Sequence, residues 1–143
     1  MKRIKQLQPL SMEHHLSLSL AARAMRTAQS GDGDAIHQLC SEIIEDYAKT
    51  WRPHFDHEEQ LIFQPFAKRS ERVQKLCTQL TDEHRQFDNM VEQMKAGKED
   101  ILLTFGELLK SHTRLEEREL FPLISELLTE PELDEIYRGL LED

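Results

Sequence analysis

Two stretches of this chain repeat one arrangement of metal-ligand side chains. His54-Phe55-Asp56-His57-Glu58-Glu59 runs on to Ile62, Phe63 and Pro65, and His112-Thr113-Arg114-Leu115-Glu116-Glu117 runs on to Leu120, Phe121 and Pro122. Both read His-x-x-x-Glu-Glu, with an apolar residue eight positions after the His and a Phe nine after it. Glu is 18 of 143 residues, so a Glu-Glu pair at a set offset follows about one His in sixty by chance; here two of seven His have it. On a helix, residues i and i+4 lie one above the other, so each stretch offers an imidazole and a carboxylate pointing the same way. Two such helices face to face would make a metal site.

Two further dipeptides fit the same scheme. Glu13-His14 and Glu83-His84 each precede one of the repeated stretches, so the order is His, then His-x-x-x-Glu, twice over. The candidate ligands are therefore His14, His54, Glu58, His84, His112 and Glu116. His14 shares a helical face with Leu18, Ala21 and Met25, whereas its neighbour His15 shares one with Ser19, Ala22 and Arg26; the apolar face favours His14. Glu59 and Glu117 lie 100° round from Glu58 and Glu116, placed to reach water or bond a ligand His, with Glu117 an alternative ligand. His37 and His57 fall outside the set. A mixed imidazole and carboxylate set without thiolate points to iron or manganese before zinc. Two ions, bridged by the two Glu and capped by two His each, would use all six groups and leave open positions. Two Glu in a dry core are costly unless a cation neutralises them.

The elements that must hold these residues are helices. Gly and Pro number five each, and charged residues are 31% of the chain, as expected when every helix shows a polar face to water. A first helix is expected from Ser11, as N-cap, to the break at Ser30-Gly31-Asp32-Gly33. A second starts at Asp32 or Asp34 and runs to about Ala67, with Cys40, Ile43, Tyr47, Trp51, His54, Glu58, Leu61 and Pro65 inward. Pro53 should kink it just ahead of the His-x-x-x-Glu segment. The third runs from about Ser70 to Met94, with Val73, Cys77, Leu80, His84, Asp88 or Phe87, and Val91 inward. The fourth runs from Glu99 to about Leu128, with Phe105, Leu109, His112, Glu116, Leu120 and Leu123 inward. After Pro131 a short tail helix should pack across one end. Short connections between long helices predict an all-α, up-down-up-down four-helix bundle. A single domain spans 1–143, with the bundle at about 10–128 and the tail helix at about 131–141.

The formal charge of −9 argues against nucleic acid and against anionic membrane surfaces as partners. No apolar run approaches the roughly 20 residues that span a bilayer. Met1-Lys2-Arg3-Ile4 is basic but no apolar segment follows it, so a cytoplasmic protein is expected, with Cys40 and Cys77 as reduced core residues.

These motifs resemble the hemerythrin-like (HHE cation-binding) family. His54-Phe55-x-His57-Glu58-Glu59 and His112-x-x-x-Glu116-Glu117-x-x-Leu120-Phe121-Pro122 carry the likeness, with Glu13-His14 and Glu83-His84 as the single-His motifs, over residues of about 10 to 128. The resemblance implies a four-helix bundle with a carboxylate-bridged pair of non-haem iron ions, and small ligands such as O2, NO or peroxide. Oxygen-carrying members are similar but place a second His one turn beyond the ligand on the third helix, where this chain has Asp88. They also place an Asp five residues after the fourth helix's His, where this chain has Glu117. Four His and two Glu look more like the set of the iron–sulfur repair and iron-sensing members. The repair members also carry an N-terminal cysteine-bearing segment, which residues 1–10 do not contain. The expectation is a di-iron protein that senses, stores or handles oxygen, nitric oxide, peroxide or iron. The alternative is a di-iron enzyme of iron–sulfur cluster repair or of peroxide and NO detoxification.

Overall fold

The computed structural model describes residues 5–141, which form helices and no strand. After a 3₁₀ turn at Lys5–Leu7, α1 covers Gln8–Ser30. Helix α2 is one continuous rod over residues 33–66, built from α-helical Gly33–Asp46, Arg52–Glu58 and Gln64–Phe66 with π-helical Tyr47–Trp51 and Glu59–Phe63 between them. Helix α3 is Glu71–Lys95. Helix α4 covers residues 102–127 as Leu102–Leu115, π-helical Glu116–Leu120 and Phe121–Leu127. The tail helix α5 is Glu130–Leu141. Each of the four long helices contacts the next, and α4 closes back on α1, which is its most extensive partner.

Local chemistry sets the ends. Gly31 caps α1 at φ 70°, a left-handed conformation that costs other residues more. The Asp32 carboxylate then accepts from the Asp34 and Ala35 amides to start α2, and Ser70 Oγ accepts from Val73 N to start α3. Helix α1 begins earlier than Ser11, because Pro9 suits a first helical turn. Ser11 lies inside the helix, buried, with its hydroxyl 3.3 Å from Glu117 Oε2. Thr129 and Glu132 bond each other's backbone amides, a capping box that opens α5 just ahead of the expected start.

The interior prolines sit just after widened turns. Pro53, Pro65 and Pro122 each follow a π turn that ends two residues before the ring. In each case the preceding residue (Arg52, Gln64 or Phe121) donates its N–H to the carbonyl five back, on Tyr47, Glu59 or Glu116. A proline ring clashes with the carbonyl four back and supplies no N–H, so the turn ahead of it widens by one residue. That extra residue rotates everything downstream by about 100°. The expected inward positions Leu61 and Pro65 therefore turn out of the core, and Ile62 and Phe63 replace them. Likewise Ile124 is buried where Leu123 was expected. Leu61 lies instead against Gly139 of the tail helix.

Two apolar clusters fill the interior. One gathers Cys40, Ile43, Trp51, Phe87, Phe105 and their neighbours. The other gathers Leu10, Ile62, Cys77, Leu80 and Leu120, and the tail helix adds Leu133 and Ile136 to it. The residue beside His84 on its stripe is Phe87, fully buried, rather than Asp88. Helices α1 and α4 pack tightly at Gly106, where a Cβ would meet the Ala21 carbonyl at 3.0 Å and the Ala24 methyl at 3.1 Å. Between the apolar clusters lies a polar layer.

Candidate metal centre

Six side chains of that layer are buried: His14 from α1, His54 and Glu58 from α2, His84 from α3, and His112 and Glu116 from α4. All six expected ligands are thus brought together. Their donor atoms fall into two groups, each lying within 4.8 Å: His14, His54, Glu58 and Glu116, and Glu58, His84 and His112. Glu58 belongs to both. Its Oε2 lies 3.3 Å from His14 Nε2 and 3.4 Å from His54 Nε2, while its Oε1 lies 3.1 Å from His84 Nε2. Glu116 Oε1 sits 3.3 Å from both His14 Nε2 and His112 Nε2. The i,i+4 spacing read from the sequence is what sets His54 beside Glu58 and His112 beside Glu116.

The outer nitrogens follow a cyclic rule around the four helices. Glu13 of α1 approaches His54 Nδ1 of α2 at 3.2 Å, off-line for a hydrogen bond. Glu59 of α2 accepts from His84 Nδ1 of α3 at 2.7 Å. Glu83 of α3 accepts from His112 Nδ1 of α4 at 2.8 Å, and Glu117 of α4 accepts from His14 Nδ1 of α1 at 2.9 Å. A carboxylate can only accept, so it fixes the proton on Nδ1 and leaves the Nε2 lone pair aimed inward. The aromatic residues repeat the pattern. Phe63 of α2 stacks on His84 at 5.7 Å and Phe121 of α4 stacks on His14 at 5.5 Å. Phe55 covers the other face of His84 at 4.2 Å.

Without a cation the layer is electrostatically awkward. Burial opposes charge on His54, but Glu58 and Glu13 outweigh it and lift its pKa to about 9. His112 is lifted to about 10 against burial by Glu116, Glu83 and Glu58. Burial also opposes charge on His14, and Glu116, Glu117 and Glu58 raise it well above the ordinary imidazole value. Against full burial, the neighbouring imidazoles of His54 and His14 hold Glu58 well below the usual carboxylate range. Even so, His112 Nε2 and both Glu116 oxygens, all buried, make no hydrogen bond. A cation placed among these atoms would satisfy each of them, so the residues fit a metal.

Several other candidates stand elsewhere. His15 is exposed, and His37 is exposed and pairs with Glu99 at 2.6 Å. His57 is half-buried and belongs to neither donor group. Asp88 binds Arg52 through both oxygens at 2.5 and 2.7 Å and accepts from the Tyr47 hydroxyl, so it neither faces the donor groups nor orients a His. Burial pushes the Cys40 thiol up to about 11, with Glu99 adding to it, and burial with Glu116 pushes Cys77 up to about 12; both stay protonated and outside the donor groups. The roles of Glu13 and Glu83 were not read from the sequence. Their signal was the Glu-His dipeptide itself, which places a carboxylate one position round the helix from each lone His.

An all-helical bundle with a buried layer of four imidazoles and two carboxylates defines a class of cation-holding protein. This chain belongs to the hemerythrin HHE cation binding domain family, whose model matches residues 7–124. No curated protein and no solved structure matches it.

Proposed function

We propose that the chain holds two iron ions in an up-down-up-down four-helix bundle and uses them to sense, store or handle oxygen, nitric oxide, peroxide or iron itself. His14 and His54 would hold one ion and His84 and His112 the other, with Glu58 and Glu116 supplying carboxylate oxygens between them. One observation carries the reading: every Nε2 of the four His lies within 3.4 Å of a Glu58 or Glu116 oxygen, while every Nδ1 is turned onto an outer carboxylate. Such a layer presents two adjoining sets of nitrogen and carboxylate donors that a pair of cations would neutralise. Nitrogen and carboxylate donors without thiolate favour iron or manganese over zinc.

When bound, an iron pair supplies one-electron chemistry and coordination positions for small ligands. The chain does the rest. Glu59, Glu83 and Glu117 keep the Nδ1 protons of His84, His112 and His14 in place and their Nε2 atoms inward, and Glu13 lies beside Nδ1 of His54. Phe55, Phe63 and Phe121 press against the imidazoles and exclude bulk water. All six donors are buried, so the site suits ligands of two or three atoms rather than an organic substrate.

The test is anaerobic loading with ferrous iron, followed by metal counting and optical spectra before and after oxygen, NO and azide. Two irons per chain and a ligand-dependent absorption band are expected. Iron at background level would overturn the reading, and a loaded protein blind to all three ligands would overturn its small-ligand part and leave iron storage or sensing.

A further inference from the structure

The outer carboxylate on His84 is itself held by a cation. Glu59 accepts from His84 Nδ1 through Oε2 and from Arg85 Nη2 through Oε1 at 2.6 Å. Arg85 follows His84 directly on α3, so one turn of helix places a ligand candidate and the guanidinium that faces its partner carboxylate. The guanidinium is anchored on its far side as well, with Nη1 3.6 Å from Asp88 Oδ2, and Asp88 is fixed by Arg52 and Tyr47. Glu59 is nearly buried while Arg85 is half-exposed, so the chain Arg85, Glu59, His84 runs from solvent to the centre. The repeat that relates the two halves breaks here. Glu13-His14 is followed by His15, whereas Glu83-His84 is followed by Arg85. Glu83, the carboxylate on the other imidazole of the same donor group, takes a neutral amide from Gln79 at 3.1 Å instead.

A bare carboxylate on Nδ1–H pushes electron density through the imidazole to whatever Nε2 binds, and so favours the higher oxidation state of a bound metal. A guanidinium on the same carboxylate withdraws part of that push. We infer that Arg85 is a positioning residue of the centre, which holds Glu59 on His84 and restrains its donation, setting how readily the ion at His84 is reduced. The inference rests on the di-iron reading and adds a regulator to it: a surface-facing charge, remote from the metal, that tunes the redox threshold of the centre. Anything that draws Arg85 away from Glu59 would shift that threshold.

The experiment is a redox titration of the iron-loaded protein, followed optically, on wild type, Arg85→Gln and Arg85→Lys, with iron counted in each sample. Arg85→Gln should retain two irons and shift the first midpoint potential to lower values, with Arg85→Lys, which keeps the charge, returning most of the shift. Equal potentials in all three proteins would overturn the inference while leaving the di-iron reading intact. An Arg85→Lys protein displaced as far as Arg85→Gln would also overturn it, because the effect would then be one of shape. Fewer than two irons in the wild type would remove both.

Discussion

Each imidazole of the centre is constrained at both nitrogens, by an inner carboxylate at Nε2 and an outer one at Nδ1, and the outer partner always comes from the preceding helix of the ring. Glu83→Gln should therefore leave the fold intact yet weaken metal binding about 10- to 100-fold, since an amide presents either orientation to Nδ1. Titrating the variant with ferrous iron in competition with a chelator checks this; unchanged affinity would mean that Glu83 does not orient His112 for the metal. The same carboxylates set the pH behaviour of the metal-free protein. His54 and His112 have folded pKa values of about 9 and about 10, above the ordinary imidazole value of about 6.5. Groups raised on folding contribute stability that is complete below the unfolded value and lost as pH rises through the folded one. Chelated protein should thus melt at a lower temperature at pH 9.5 than at pH 6.5, a difference that iron suppresses because ligation requires neutral imidazoles. Equal melting temperatures for the chelated protein at the two values would contradict it. Glu58, held low, adds the opposite limb, with stability lost on strong acidification. The inner donors were legible because i,i+4 spacing is a helical constant. The outer ring was half legible, since Glu59 and Glu117 follow ligands, but a carboxylate that serves the next helix leaves no spacing of its own.

The helices owe their register to three prolines. Every one of Pro53, Pro65 and Pro122 is preceded by a π turn, and the last two turns rotate Phe63 and Phe121 onto His84 and His14. A fixed 3.6-residue period run through these turns picks Leu61 and Leu123 as inward, one position short of Ile62 and Ile124. Helix existence and most ends were legible from the Gly, Pro and cap residues, but not the start of α1, which lies ahead of Ser11. Phase downstream of a proline was not legible either, because the width of a turn is decided by the clash and not by the pattern of apolar residues. Between elements, the α1–α4 contact depends on Gly106, whose Cα faces the Ala21 carbonyl and leaves no room for a branched side chain. Gly106→Val should cost about 1–3 kcal/mol by forcing these helices apart, measured by urea unfolding. A variant as stable as wild type would mean that α1 can slide away without penalty, and with it His14.

At the scale of the whole molecule, two apolar ends are joined through a polar waist, and the two halves of the chain repeat each other in ligands, outer carboxylates and stacked Phe rings. Six donors buried in that waist are favourable only with a compensating charge, which makes the cation part of the fold as well as of the chemistry. The most direct test is iron stoichiometry by mass spectrometry on anaerobically loaded wild type, on Glu58→Ala with Glu116→Ala, and on His15→Ala. Two irons per chain are predicted for wild type and for His15→Ala, and background iron for the doubly substituted protein. A double variant that still carries two irons, or a wild type that carries none, would contradict the account.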